Sequence, residues 1–139
     1  MNKATFEDVL REKGELIYTN VGDSMFPLIQ PRDLLVIKKW DGAPLKKFDI
    51  PLYKRDSGQY VLHRIIKVRE SDYVICGDNR FHLETGISDR HILGVLTAII
   101  RDGKTLSLDS PYYRRYAKKL FLRRLELKIR NRFRLNGCI

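Results

Sequence analysis

The chain has 139 residues, of which 43% are hydrophobic and 32% charged, and a formal net charge of +10. That length suits one domain able to bury a core without disulfides or a structural metal. No apolar run approaches the roughly 18–20 residues of a membrane-spanning helix, and the opening segment MNKATFEDVLREKG lacks the apolar stretch of an export signal, so a cytoplasmic protein is expected.

In chain order, Thr5-Phe6-Glu7-Asp8 has the spacing of a capping box and Gly14 that of a helix stop. Together they predict a short helix over Phe6 to Lys13, with Phe6, Val9 and Leu10 facing inward. Leu16 to Val21 reads as a strand. The stretch from Val21 to Asp33 follows, VGDSMFPLIQPRD, in which Pro27 and Pro31 exclude a regular helix. Ser24 is thereby placed on a stiffened loop. Leu34 to Lys38 is the next strand, residues 40–44 a turn, and Phe48 to Lys54 a further strand in which Pro51 marks a sheet edge or a bulge. Tyr60 to Arg69 and Tyr73 to Cys76 flank the short polar link at residues 70–72, which predicts a hairpin. Residues 77–89 are polar and irregular. Ile92 to Ile100, the Asp102-Gly103 turn and Thr105 to Leu108 form a second hairpin. Short strands punctuated by turns predict a mainly β, antiparallel domain with a short N-terminal helix. Cys76 and Cys138 are expected as free thiols, Cys76 buried.

From Tyr112 onward the pattern changes. Tyr113, Tyr116 and Leu120, then Leu122, Leu125, Ile129 and Phe133, recur at helical spacing, although the alternation of Leu125, Leu127 and Ile129 leaves a strand open for part of the segment. A basic C-terminal helix is the expectation. Residues 111–135 carry ten Lys or Arg against one acid, Glu126, while the remainder is close to neutral. The chain therefore divides into a body, 1–110, and a basic amphipathic segment, 111–139. Such a segment can lie on an anionic membrane surface through residues 112–135, pack on the body as a solvated helix, or bind phosphates of nucleic acid. The first would make the protein peripheral at the inner face of the membrane.

Three polar patches carry candidate chemistry. Ser24 alone reads as a turn serine bonding its own backbone, and a hydroxyl becomes a useful nucleophile only when a base takes its proton. His63, between Leu62 and Arg64 within a patterned strand, is a base on a rigid element, or a histidine bonded on a sheet face. The Gly77-Asp78-Asn79-Arg80 turn, with Glu84 and Ser88-Asp89-Arg90 beyond, brings carboxylates that can orient an imidazole. His82, His91 and Cys76 lack metal-ligand spacing, so neither metal nor cofactor is expected.

Taken together, these patches resemble the signal peptidase I and LexA-like serine peptidases, over roughly Val21 to Leu96. Ser24-Met25-Phe26-Pro27 is similar to the S-M-x-P nucleophile box, and Pro31-Arg32-Asp33 falls where that family has a turn ending in Asp. His63-Arg64-Ile65 resembles the H-R-I/V box of archaeal and endoplasmic-reticulum signal peptidases, and Gly77-Asp78-Asn79-Arg80 the G-D-N box, with Gly94 beyond. The resemblance implies an antiparallel β fold of that family and a serine endopeptidase acting on a leader, signal or precursor peptide. Ser24 would be the nucleophile and His63 the general base. Glu84 is the first choice as partner of His63; Asp78 is the second, as a residue holding the loop. Asp89 and Arg90 would form a structural ion pair. The Ser24 N–H would stabilise the oxyanion, since Gly22 offers no hydroxyl, and Asp23 would face solvent. The alternative is a non-catalytic or autoproteolytic LexA-like module whose basic segment binds membrane or nucleic acid. With little chain ahead of Ser24 and histidine in place of a lysine base, a DNA-binding regulator is the weaker expectation.

Overall fold

The computed structural model describes residues 3–136. Helix α1 (Phe6–Lys13) is closed at both ends as its sequence dictates. The Asp8 N–H donates to Thr5 Oγ1 at 3.1 Å, and the Thr5 N–H donates back to Asp8 Oδ2 at 3.1 Å. Gly14, at φ +71°, takes the left-handed turn that ends the helix and donates its N–H to the Leu10 carbonyl at 2.8 Å. Leu10 is buried, and Phe6 and Val9 pack against the same core.

The body is mainly antiparallel β. One sheet runs β1 (Glu15–Thr19), β2 (Leu34–Lys39), β8 (Ile92–Arg101), β3 (Pro51–Lys54), β4 (Tyr60–Leu62), with β9 (Lys104–Ser107) paired to β8. A second holds β5 (Arg64–Val68), β6 (Tyr73–Cys76) and β7 (Glu84–Ile87) in that order. Asp102 and Gly103 both have positive φ, the geometry that lets a two-residue turn join β8 to β9. At Gly94 the strands come so close that a Cβ would meet the Lys38 carbonyl oxygen and Ile37 Cγ2, each at 2.7 Å.

The main core gathers Leu16, Leu35, Ile37, Ile50, Leu52, Leu96 and Ile99 with Met25, Leu28 and Ile29 from the serine loop. A second cluster joins Tyr53, Val61 and Ile92 of the first sheet to Ile65, Ile75 and Ile87 of the second. Each such aliphatic side chain contributes about 1.5–3 kcal/mol by leaving water, so the second cluster fixes one sheet against the other. Cys76 is a buried free thiol; Cys138 lies outside the described residues.

Four details differ from the sequence expectation. Of the two expectations for Pro51 the edge is excluded, because β3 lies between β8 and β4, and the bulge stands: Pro51 is the first residue of its strand and the pairing with β8 shifts register just beyond it, between Leu52 and Tyr53. That strand starts late because Phe48 has φ +80° and the Lys46 N–H bonds to Asp49 Oδ2 at 2.8 Å, closing a turn. The run from Tyr60 to Arg69 is two strands, broken at His63, where the chain leaves one sheet for the other. The irregular stretch 77–89 contains β7, a short edge strand whose sequence Glu-Thr-Gly-Ile offers no apolar alternation.

The basic segment is helical throughout its described part, α2 (Pro111–Asn136), and a strand is excluded there. Its first turn is capped by Ser110, whose Oγ accepts from the Tyr113 N–H at 3.2 Å. Tyr113, Ala117 and Leu120 are buried and Tyr116 packs on the main core, so the base of this helix belongs to the body. Among the described residues no helix is long and apolar enough to cross a membrane.

Candidate active site

The connection from β1 to β2, residues 20–33, carries the serine. It is long, yet it is anchored by Met25, Leu28 and Ile29, which insert into the core. Its far end is pinned by buried Asp33, which accepts from the Gln30 N–H at 2.8 Å and from Arg101 Nε and Nη2 at 2.8 and 2.6 Å. Burial works to raise the Asp33 pKa, but Arg101 and the Gln30 amide outweigh it and hold the carboxyl below its usual range. Ser24 sits half-buried near the start of this loop.

The Gly77 to Arg80 turn, following β6, clasps that loop. The Asn79 N–H donates to the Ser24 carbonyl at 2.9 Å, and Asn79 Nδ2 donates to the Asp23 carbonyl at 3.2 Å. Arg80 Nη2 bonds Asp23 Oδ1 at 2.7 Å, and the Asp78 N–H points at Met25 Sδ at 3.4 Å. Gly77 lies between serine and histidine. A Cβ there would stand 2.7 Å from the Ser24 carbonyl oxygen and 3.2 Å from His63 Nε2. Only a residue without a side chain allows this approach.

Ser24 and His63 line one cleft of about 320 Å³, together with Asn20, Val21, Arg55 and Gln59. The three patches separated along the chain therefore meet in space. No hydrogen bond joins Ser24 Oγ to the imidazole among the described residues. The ring is partly buried at the junction of β4 and β5. Burial first, then the Arg55 guanidinium, lowers the His63 pKa below its ordinary value, against the opposing pull of Glu84. Both effects favour the neutral ring, the form in which it can accept a proton.

The two carboxylates are placed differently. Glu84 faces the His63 region electrostatically, but its oxygens are taken by Tyr53 OH at 2.6 Å and by Arg55 Nε and Nη2 at 2.8 and 2.9 Å. Burial favours its neutral form, yet Arg55 and Tyr53 more than reverse this and keep it ionised. Asp78 is 1% exposed and forms a two-pronged pair with Arg64, 0% exposed, through Nε at 2.8 Å and Nη2 at 2.9 Å. The Tyr116 hydroxyl of α2 donates to Asp78 Oδ2 at 3.0 Å, while Arg64 Nη1 bonds the Tyr113 hydroxyl and the Phe48 carbonyl. Asp78 is in the position of a residue that holds its loop. Neither carboxylate hydrogen-bonds His63 among the described residues.

The expected Asp89–Arg90 pair does not form. Asp89 accepts from the Tyr73 hydroxyl, and Arg90, in the 3₁₀ turn Asp89–His91, instead binds exposed Asp56. The same turn holds a second Ser-His-Asp grouping. His91 Nδ1 lies 3.4 Å from Ser88 Oγ, and its Nε2 lies 3.1 Å from Asp56 Oδ1. Here, however, Nδ1 already accepts the Ser88 backbone N–H at 3.0 Å, which spends the basic nitrogen on capping the turn.

Asp23 does face solvent, and Arg80 lowers its pKa by hydrogen bonding and charge. Tyr53, Arg55, Tyr113 and Tyr116 complete the polar surroundings. Only Arg64 had a local signal, as the residue after His63. Tyr53 and Arg55 come from the end of β3 and the residue after it, and Tyr113 and Tyr116 from α2, about fifty residues beyond His63. Among the described residues no group of His, Cys, Asp and Glu is arranged to hold a metal ion. Comparison with protein-family models, with curated proteins and with solved structures finds no match in any of the three.

Proposed function

We propose that the protein is a serine endopeptidase of signal-peptidase type that cleaves a leader, signal or precursor peptide through an acyl-enzyme on Ser24. The observation that carries this reading is the meeting of Ser24 and His63 in one cleft, locked together across Gly77. His63 takes the Ser24 proton as the oxygen attacks the peptide carbonyl, then returns it to the leaving amine; water releases the acyl group by the reverse sequence. The Ser24 N–H, which makes no hydrogen bond among the described residues, is free to meet the oxyanion. Arg80 offsets the charge of neighbouring Asp23, which would otherwise oppose that anion. Exposed Val21, Phe26, Phe81 and Leu83, on the two interlocked loops, suit an apolar peptide.

A second reading is favoured by one specific feature: both carboxylates near the imidazole are committed to arginines. In that reading the fold is a non-catalytic or self-cleaving regulatory module. The full-length protein incubated with a pool of precursor-derived peptides, read by mass spectrometry for new N-termini, separates the two. Cleavage by the wild type, lost in Ser24→Ala and reduced about 10²–10⁴-fold in His63→Ala, with both variants folded by circular dichroism, is the expected result. An uncut pool, or cleavage retained by either variant, rejects the peptidase.

A further inference from the structure

We propose that the outer face of α2 docks on an anionic lipid bilayer, with the helix lying along the surface. The helix has two apolar faces with different fates. Tyr113, Tyr116, Ala117 and Leu120 turn toward the body. Leu122, Leu125 and Ile129 remain 64%, 48% and 46% exposed. At about 100° per residue, these three share one stripe on the side of the helix roughly opposite the packing face. Arg115 and Lys118, both exposed, continue the same ridge toward the body at spacings of three and four residues. The ridge is thus basic near the body and apolar farther out.

Charge decides among occupants. Residues 111–135 hold ten bases and one acid, and that acid, Glu126, lies 4.0 Å from Arg130. A second copy of the chain would bring like charges together along the ridge, which disfavours helix pairing. Nucleic acid would use the bases but give the apolar stripe no partner. An anionic interface satisfies both, with acyl chains taking the leucines and isoleucine and headgroups taking the bases. No described helix can cross the bilayer, so the contact is along its surface.

The test uses the full-length chain, because truncation at residue 111 would also remove the buried tyrosines. Binding to vesicles of phosphatidylcholine alone, and of phosphatidylcholine with phosphatidylglycerol, is measured by co-sedimentation across a salt series. Expected are binding to the anionic vesicles that weakens with salt, and at least tenfold weaker binding for Leu122→Glu/Leu125→Glu/Ile129→Glu and for Arg115→Glu/Lys118→Glu. Circular dichroism of both variants should be unchanged. Equal binding to neutral vesicles, no binding, or an apolar variant that binds as well as wild type would overturn the proposal. So would tighter binding to mixed-sequence duplex DNA unaffected by the apolar variant, or a concentration-dependent dimer abolished by it. The readout is binding alone, so it stands or falls separately from cleavage at Ser24.

Discussion

Gly77→Ala tests whether the contact between the serine loop and the histidine is as tight as its geometry requires. The added methyl would lie 2.7 Å from the Ser24 carbonyl oxygen, where 3.4 Å begins ordinary contact, so that oxygen must retreat by about 0.7 Å. Flexible side-chain movement cannot absorb this, because the obstacle is backbone, held at 2.9 Å by the Asn79 N–H. Overpacking of this kind costs about 1–3 kcal/mol, a fall in Tm of roughly 3–10 °C for a chain of this size. A domain with about 5–15 kcal/mol of stability stays folded after such a loss. Cleavage should fall much further, by up to about 10²-fold, because a displacement of that order spoils attack geometry. The methyl also stands 3.2 Å from His63 Nε2 and excludes water from the ring, so the ring pKa, followed by NMR, should move further down. An unchanged Tm would refute the close approach. A lowered Tm with unaltered cleavage would refute the placement of the reaction beside Gly77.

Asp78→Asn leaves Arg64 buried with an uncompensated charge and should cost about 3–5 kcal/mol in urea unfolding; a cost below 1 kcal/mol would mean the pair is not dry. Tyr116→Phe removes one hydrogen bond to the same carboxylate and should cost about 1.5–3 kcal/mol, with the N-terminal turns of α2 exchanging amide protons faster. The pH dependence of cleavage carries a sign. Since the folded His63 pKa lies below the ordinary 6.5, the neutral base survives below that pH and the acid limb should fall there. Glu84→Gln removes a charge that raises this pKa and should move the limb lower. Arg55→Gln removes one that lowers it and should move the limb toward 6.5. For stability the linkage runs the same way: as pH falls below 6.5 the unfolded chain takes up this proton first, and stability declines. Limbs that move together, or do not move, would remove His63 from the base role.

Local patterns made some of this architecture legible and hid the rest. The capping box and Gly14 fixed α1 to the residue because a helix end is chemistry between near neighbours. The meeting of Ser24 and His63 was expected only from the resemblance carried by three short boxes, since nothing local encodes the contact, and the place of Gly77 between them had no signal of its own. The break at His63 was invisible, since the apolar pattern continues through it while the chain changes sheets. Reading Glu84 as a histidine partner did not anticipate Arg55 and Tyr53, because the competition is settled by side-chain hydrogen bonds reaching from one sheet to the other and not by spacing. The helical spacing of Tyr113 and Tyr116 announced a helix, yet their destination, a buried ion pair, depends on contacts with Arg64 and Asp78 that are distant along the chain.

That ion pair explains why these loops hold one arrangement. Arg64 follows His63 and Asp78 follows Gly77, so the pair ties the residue after the candidate base to the residue after the close contact with Ser24. A buried pair adds little net stability over an apolar replacement, but separating its members strands two charges away from water. Any conformation that parts His63 from the Gly77 turn carries that penalty. Tyr113 and Tyr116 raise it, since their hydroxyls satisfy remaining positions of the same two groups and their rings lie against the Arg64 guanidinium. The base of α2 is therefore part of what aligns the cleft, and the outer part can meet another surface without the cleft coming apart.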